Sequence, residues 1–75
     1  MRKKLSEMSP GEEGIVNSIE GGLREKVAGM GIRVSKKIKL AAKQPVKGPI
    51  VVTVDGSAIS VGVGIANKII IEVEK

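Results

Sequence analysis

The strongest structural signal in this chain is the segment Gly48-Pro49-Ile50-Val51-Val52-Thr53-Val54-Asp55-Gly56-Ser57-Ala58-Ile59-Ser60-Val61. Asp55-Gly56 lies between two runs of alternating character, which is typical of a hairpin closed by a two-residue type I′ turn. Such a turn fixes the register, which gives the facing pairs Val54–Ser57, Val52–Ile59 and Ile50–Val61. We therefore predict a hairpin with one apolar face, and with Thr53, Ala58 and Ser60 on the wetter face.

Three further segments outside the hairpin predict strands. They are residues 13–19, 37–43 and 68–73. The middle one, Lys37-Ile38-Lys39-Leu40, alternates polar and apolar residues as a half-buried strand does. Pro10-Gly11 predicts a type II turn that places Leu5 and Met8 on the core, and residues 65–67 predict a single turn before the last strand. Residues 44–47 predict a loop.

One short helical pattern, within residues 20–32, interrupts these strands. Gly21-Gly22 ends the first strand, and Leu23, Val27 and Met30 then follow at i, i+4 and i+7, which gives about two turns with one apolar face. Gly31 supplies the left-handed conformation that ends a helix. We predict one small helix packed against a small sheet.

The composition favours a mainly β protein with an aliphatic core. The 75 residues include ten Ile and ten Val but no Cys and no aromatic residue, and β-branched side chains suit a pleated sheet. We predict an all-β fold, a small SH3-like partly open barrel of about five strands with one short helix after the first strand, in a single domain of residues 1–75. The predicted core consists of Leu23, Val27, Ile38, Leu40, Val52, Val54, Ile59, Ile69 and Ile71.

The side-chain chemistry argues against an enzyme. The chain has neither His nor Cys, so no base is present to activate a Ser or Thr nucleophile. Glu12 and Glu13 are adjacent and turn to opposite faces of an extended segment. Imidazole and thiolate, the usual ligands of transition metals, are absent as well. We therefore predict no catalytic residue, no cofactor and no dedicated metal site within one subunit.

Positive charge is concentrated in the middle of the sequence. The net charge is +5, yet residues 26–54 contain seven basic residues and no acid. Such a segment is either a solvated face or a surface that attracts nucleic acid, an anionic lipid surface or an acidic protein. We predict that it forms a docking surface for a protein partner, for which the candidate residues are Met30, Arg33, Lys36, Lys37 and Lys39. Met30 has an alternative role as a core residue of the helix.

The sequence contains no apolar run long enough to span a bilayer. Ile69-Ile70-Ile71 is among the longest, against roughly 20 residues required. The basic start of the chain, residues 1–4, is not followed by the apolar run of a signal peptide. We expect a cytoplasmic protein that does not insert into a membrane.

Residues 10–16, with a Gly-x-x-Gly-x-Val pattern, allow a second reading because ribosome-associated KOW modules also open in this way. Readers of RNA or single strands at this size usually stack bases on aromatic side chains, and this chain has none. Nucleic acid is therefore the less favoured partner.

Taken together, the motifs resemble the FeoA family of ferrous iron transport proteins. The resemblance runs from Leu5 to Val73 and rests on Leu5-x-x-Met8-x-Pro10-Gly11-x-x-Gly14-x-Val16, Ile19-x-Gly21-Gly22, Arg24-x-x-Val27-x-x-Met30-Gly31-Ile32, Ile38, Gly48-Pro49-Ile50-x-Val52-x-Val54-x-Gly56-x-x-Ile59 and Ala66 before Ile69. The chain departs from the family pattern at Ser35, where members often carry Gly, and at residues 61–64, where members are more polar and helical.

The resemblance implies an SH3-like barrel in the bacterial or archaeal cytoplasm that serves iron homeostasis. It also implies a partner, FeoB, a membrane transporter with a GTPase domain, and family-level transition metal ion binding. We accordingly predict an accessory protein that regulates ferrous iron transport through a protein–protein interaction with the cytoplasmic portion of FeoB. Two alternatives stay open: a basic barrel that binds nucleic acid, and a metal-binding regulator whose carboxylate ligands are shared between subunits of a homo-oligomer.

Overall fold

The computed structural model describes residues 1–44 and 48–74. Its strands are β1 (Arg2–Lys4), β2 (Glu13–Ile19), β3 (Lys37–Lys43), β4 (Ile50–Val54), β5 (Ser57–Val61) and β6 (Ile69–Val73). Two short helices, α1 (Arg24–Ala28) and α2 (Val63–Ala66), and a 3₁₀ turn at Leu5–Glu7 complete the described elements. Most of the loop predicted for residues 44–47 lies outside the described residues.

The strands form an antiparallel open sheet in the order β1-β6-β2-β3-β4-β5. This confirms the prediction of a mainly β, partly open fold, and β1 and β5 are the edge strands among the described residues. The described residues contain six strands where about five were expected, because Arg2-Lys3-Lys4 pairs with β6. In that pairing Lys3 faces Ile71, and the Val73 N–H donates to the Met1 carbonyl at 2.8 Å.

The hairpin has the predicted register. Ile50 faces Val61, Val52 faces Ile59 and Val54 faces Ser57. The φ angles of Asp55 (52°) and Gly56 (81°) are both positive, as a type I′ turn requires. The predicted turn at Pro10-Gly11 also forms, since Gly11 has φ 90° and the Glu12 N–H donates to the Ser9 carbonyl at 3.0 Å.

The predicted helix is shorter than two turns. The last part of the predicted helix forms a turn instead. The Gly31 N–H donates to the Ala28 carbonyl at 3.0 Å, and Gly31 has φ 97°. The carbonyl of Val27 accepts from both Met30 (3.0 Å) and Ile32 (2.9 Å). This return of the chain buries Ile32 completely, which the helical periodicity alone did not indicate.

The interior is aliphatic apart from one thioether, because no aromatic side chain is available. The predicted core residues Val27, Ile38, Leu40, Val52, Val54, Ile69 and Ile71 are buried, as are Leu5 and Met8. Leu23 and Ile59 are half-buried and pack against this core. The core further contains Val16, Ile32, Ile50, Val61, Ala66 and Val73.

Gly14 is required where β2 pairs with β6. A Cβ atom at this position would contact the side chain of Ile71 and would lie 2.6 Å from the carbonyl oxygen of Glu72. Because backbone on the neighbouring strand cannot move aside cheaply, only glycine lets the two strands approach in this register.

The hairpin register predicts a contrast between two adjacent valines. Val52→Ala removes two methyl groups from a fully buried site, so we expect the free energy of unfolding to fall by about 2 kcal/mol. Val51→Ala is the matched control because Val51 is half-buried on the opposite face, and we expect a clearly smaller loss. Urea unfolding monitored by circular dichroism measures both. A larger loss for Val51→Ala would contradict the register.

Candidate partner-binding surface

The predicted docking lysines lie on the outer face of β3. Lys37 and Lys39 are exposed and alternate with Ile38 and Leu40, which are fully buried. This alternation follows from the pleat of the strand, which turns successive side chains to opposite faces. Lys36 immediately precedes the strand and is half-buried. The structure therefore brings three of the five predicted residues together.

Lys36, Lys37 and Lys39 form a lysine cluster. In the folded sheet this lysine cluster lies beside carboxylates that are absent from the neighbouring sequence. Lys36 Nζ lies 2.6 Å from Asp55 Oδ2, and Lys37 Nζ lies 3.5 Å from Glu13 Oε1. Lys39 faces Glu13 and Thr53 in the two strand registers, but within the described residues no carboxylate oxygen lies within 4.0 Å of its ammonium group. The basic segment is thus partly neutralised by carboxylates that lie outside residues 26–54 in the sequence.

The other two predicted residues lie elsewhere. Met30 is half-buried and packs against the core, which matches its alternative role as a core residue. Arg33 is exposed and lines a groove of about 310 Å³ between the end of β2, α1 and the turn that follows α1. The groove is lined by Ile19, Arg24, Glu25, Ala28, Arg33 and Val34.

The turn at residues 33–36 connects this groove to the lysine cluster. The Lys36 N–H donates to the Arg33 carbonyl at 3.1 Å, and the Ser35 N–H donates to the Val16 carbonyl at 2.8 Å. Ser35 has φ 78°, a left-handed conformation that costs a residue with a Cβ atom about 1 kcal/mol. The turn also leaves Val34 38% exposed, one of three large apolar side chains exposed within the described residues. Sequence reasoning did not single out Val34.

Carboxylates elsewhere on the surface are distributed rather than gathered. Within the described residues, no three His, Cys, Asp or Glu side chains form a group that could hold a metal ion. Glu12 accepts from Lys3 Nζ at 3.1 Å and from the Ser9 N–H at 2.9 Å. The ammonium group of Met1 and the guanidinium of Arg2 donate to Glu72 and lower the pKa of its carboxyl.

No helix in the described part of the chain has both the length and the apolar character needed to cross a bilayer.

This architecture places the chain in the class of small, partly open SH3-like β proteins. A model of the FeoA domain matches residues 3–73, which is nearly the whole sequence. The chain belongs to the FeoA family, as its sequence motifs predicted.

Individual relatives agree with this assignment. The protein named "Putative Fe(2+) transport protein A" from Methanocaldococcus jannaschii is 38% identical over 64 residues, which cover 83% of this chain and 76% of that protein. The crystal structure of an iron uptake regulatory protein, FeoA, is 35% identical with a TM-score of 0.87 and covers 96% of each chain. At 18% identity, the zinc complex of Stenotrophomonas maltophilia FeoA, described as an SH3 domain protein, shows similarity of fold alone (TM-score 0.79; 93% and 89% covered).

The left-handed turn predicts that glycine stabilises position 35. In Ser35→Gly, relief of the Cβ strain exceeds the added backbone entropy of glycine, so we expect the free energy of unfolding to rise by about 0.5 kcal/mol. The control is Val34→Gly in the same turn, which has no positive φ and should be destabilised. Thermal and urea unfolding test both variants. Equal destabilisation of the two would show that Ser35 is not strained.

Proposed function

We propose that this chain is a cytoplasmic accessory protein of ferrous iron transport, without catalytic activity of its own, which docks on the cytoplasmic, GTPase-containing portion of a FeoB-type transporter. The match of the FeoA domain over residues 3–73 carries this proposal. The relatives named for Fe(2+) transport and iron uptake regulation support the same process.

The charge distribution supports a protein partner with an acidic surface. Lys39 and Arg33 are exposed and have no carboxylate partner within the described residues. The carboxylate partners of Lys36 and Lys37 lie at the protein surface. Exposed ion pairs of this kind contribute typically about 0–1 kcal/mol, so an acidic partner can displace them at little cost. Together with the net charge of +5, the lysine cluster provides long-range attraction that raises the association rate.

Charge reversal on β3 tests this docking role. In the double variant Lys37→Glu/Lys39→Glu the net charge changes by −4, and both side chains are exposed, so the fold should persist. We expect association with the FeoB cytoplasmic domain to slow by about tenfold at low salt, and the difference to shrink as salt is added. Stopped-flow or surface plasmon resonance measurements give the rates. Circular dichroism and the unfolding midpoint report on folding.

The matched control is Lys4→Glu/Lys68→Glu, which makes the same change in charge at two exposed residues near the β1–β6 side. An equal loss in the control would assign the effect to net charge. Unchanged association of the β3 variant would show that its lysines form only a solvated face.

The scattered carboxylates predict weak metal binding by the isolated chain. Calorimetric titration with Mn²⁺, or with Fe²⁺ under anaerobic conditions, should show no one-to-one site of micromolar affinity, because hard cations need several oxygen ligands converging at one point. A one-to-one site that is abolished by one carboxylate substitution, such as Glu13→Gln or Glu72→Gln, would instead favour a metal-binding regulator.

A further inference from the structure

The arginines of this chain divide into one that is paired and two that are not. Arg2 Nε donates to Glu72 Oε1 at 3.0 Å. Arg24 and Arg33 are exposed, and within the described residues neither forms an ion pair with a carboxylate. Both line the groove beside α1. The two arginines without a described carboxylate partner therefore line the same groove, although they are nine positions apart in sequence.

The remaining lining of this groove combines apolar contact with one acidic group. Ile19, Ala28 and Val34 supply the apolar side chains, and Glu25 is the single carboxylate. Arginine is enriched in protein-binding sites, because its guanidinium forms two parallel hydrogen bonds to a carboxylate and is less strongly hydrated than an ammonium. The exposed aliphatic side chains beside the arginines add apolar contact.

The wall that carries Arg33 and Val34 is held in place before any partner binds. The Ser35 N–H bonds to the Val16 carbonyl, the Val16 N–H bonds to the Lys36 carbonyl at 2.9 Å, and the Lys36 ammonium is paired with Asp55. The left-handed Ser35 keeps this turn in a conformation that presents Val34 to solvent. A fixed wall lowers the entropy lost when a ligand is seated.

We propose that this groove anchors an acidic, aliphatic segment of the protein partner. A carboxylate of the segment pairs with the guanidinium groups of Arg24 and Arg33, and a neighbouring aliphatic side chain packs on Val34 and Ala28. This inference rests on the proposed docking to a FeoB-type transporter and adds the chemistry of the anchor. The lysines of β3 attract the partner from a distance, whereas the groove determines how long it stays bound.

A peptide fits this groove better than a nucleic acid does. Phosphates would also pair with arginine, but the described lining has no aromatic ring on which a base could stack, and Glu25 would repel a continuous phosphate backbone. An acidic segment can place one carboxylate between the arginines and turn an apolar or amide group toward Glu25.

The first experiment measures dissociation from the FeoB cytoplasmic domain by surface plasmon resonance. For Arg24→Gln/Arg33→Gln we expect dissociation to accelerate by about tenfold or more, with association within about threefold of the parent chain. Val34→Ser should accelerate dissociation by a smaller factor. The control Arg2→Gln/Lys4→Gln also removes two positive charges, but outside the groove. It should leave the dissociation rate within about twofold of that of the parent chain. Unchanged dissociation of the Arg24→Gln/Arg33→Gln variant would overturn the anchoring role.

The second experiment needs no transporter and separates failure of the groove from failure of the proposed function. A synthetic nine-residue peptide of alternating leucine and glutamate is titrated into the ¹⁵N-labelled chain, with a peptide of leucine and glutamine as its control. We expect saturable shifts of the Ile19, Ala28 and Val34 amides with the glutamate peptide only, and their loss in Arg24→Gln/Arg33→Gln.

Binding of the peptide without binding of the FeoB domain would support the groove and overturn the docking proposal. The absence of peptide shifts at these amides would overturn the groove, as would an oligouridylate that produces the same shifts when the peptide does not.

Discussion

The double acceptance of hydrogen bonds by the Val27 carbonyl is the interaction on which the rest of this structure depends. A chain of 75 residues without aromatic side chains has to close its interior with aliphatic groups and the thioether of Met8. Val27 and Ile32 are both fully buried, and the N–H groups of Met30 and Ile32 bond to the same carbonyl while Gly31 reverses the chain between them. The turn at residues 33–36 and the start of β3 follow directly from the point at which Ile32 returns to the core. The core and the candidate binding surface thus share one local constraint.

Strand pairing, rather than local composition, sets the electrostatics of the surface. The segment 26–54 contains no acid, yet Lys36 and Lys37 have carboxylates beside them because antiparallel pairing and the hairpin turn place Glu13 and Asp55 there. A count of charges along the chain cannot detect such pairs, since the Lys36–Asp55 pair depends on the register between β3 and β4 and the Lys37–Glu13 pair on the register between β2 and β3. The β2–β3 register has no tight turn to encode it, because these two strands are separated by α1 and the turn at residues 33–36.

Sequence reasoning predicted some elements better than others, because the local sequence encodes only some of the strand registers. The β4–β5 register was predictable because Asp55-Gly56 encodes it locally, and the bounds of β2 and β3 were predictable from breakers and alternation. β1 was missed since Arg2-Lys3-Lys4 has no apolar periodicity and becomes a strand only by pairing with β6 at the far end of the sequence. The groove was missed because Arg24 and Arg33 come together only after α1 has ended. A usable signal was Ser35, where the resemblance to the FeoA family implies glycine, because Ser35 has φ 78° and this left-handed conformation favours glycine.

In the proposed docking surface, the different chemistry of lysine and arginine suits the lysine cluster and the groove to different roles. Lys36, Lys37 and Lys39 lie on a sheet face, are exposed or half-exposed, and have Glu13 and Asp55 nearby, so exchanging those carboxylates for a partner's changes the free energy little. Arg24 and Arg33 have no described carboxylate to exchange and stand beside apolar side chains that a ligand would cover. In many protein interfaces a few residues carry most of the binding energy. Such residues include arginines whose ion pairs lose water while the apolar surface around them is buried. In the docking that we propose, specificity for the partner would therefore depend on the groove, and the lysines would mainly affect the rate of association.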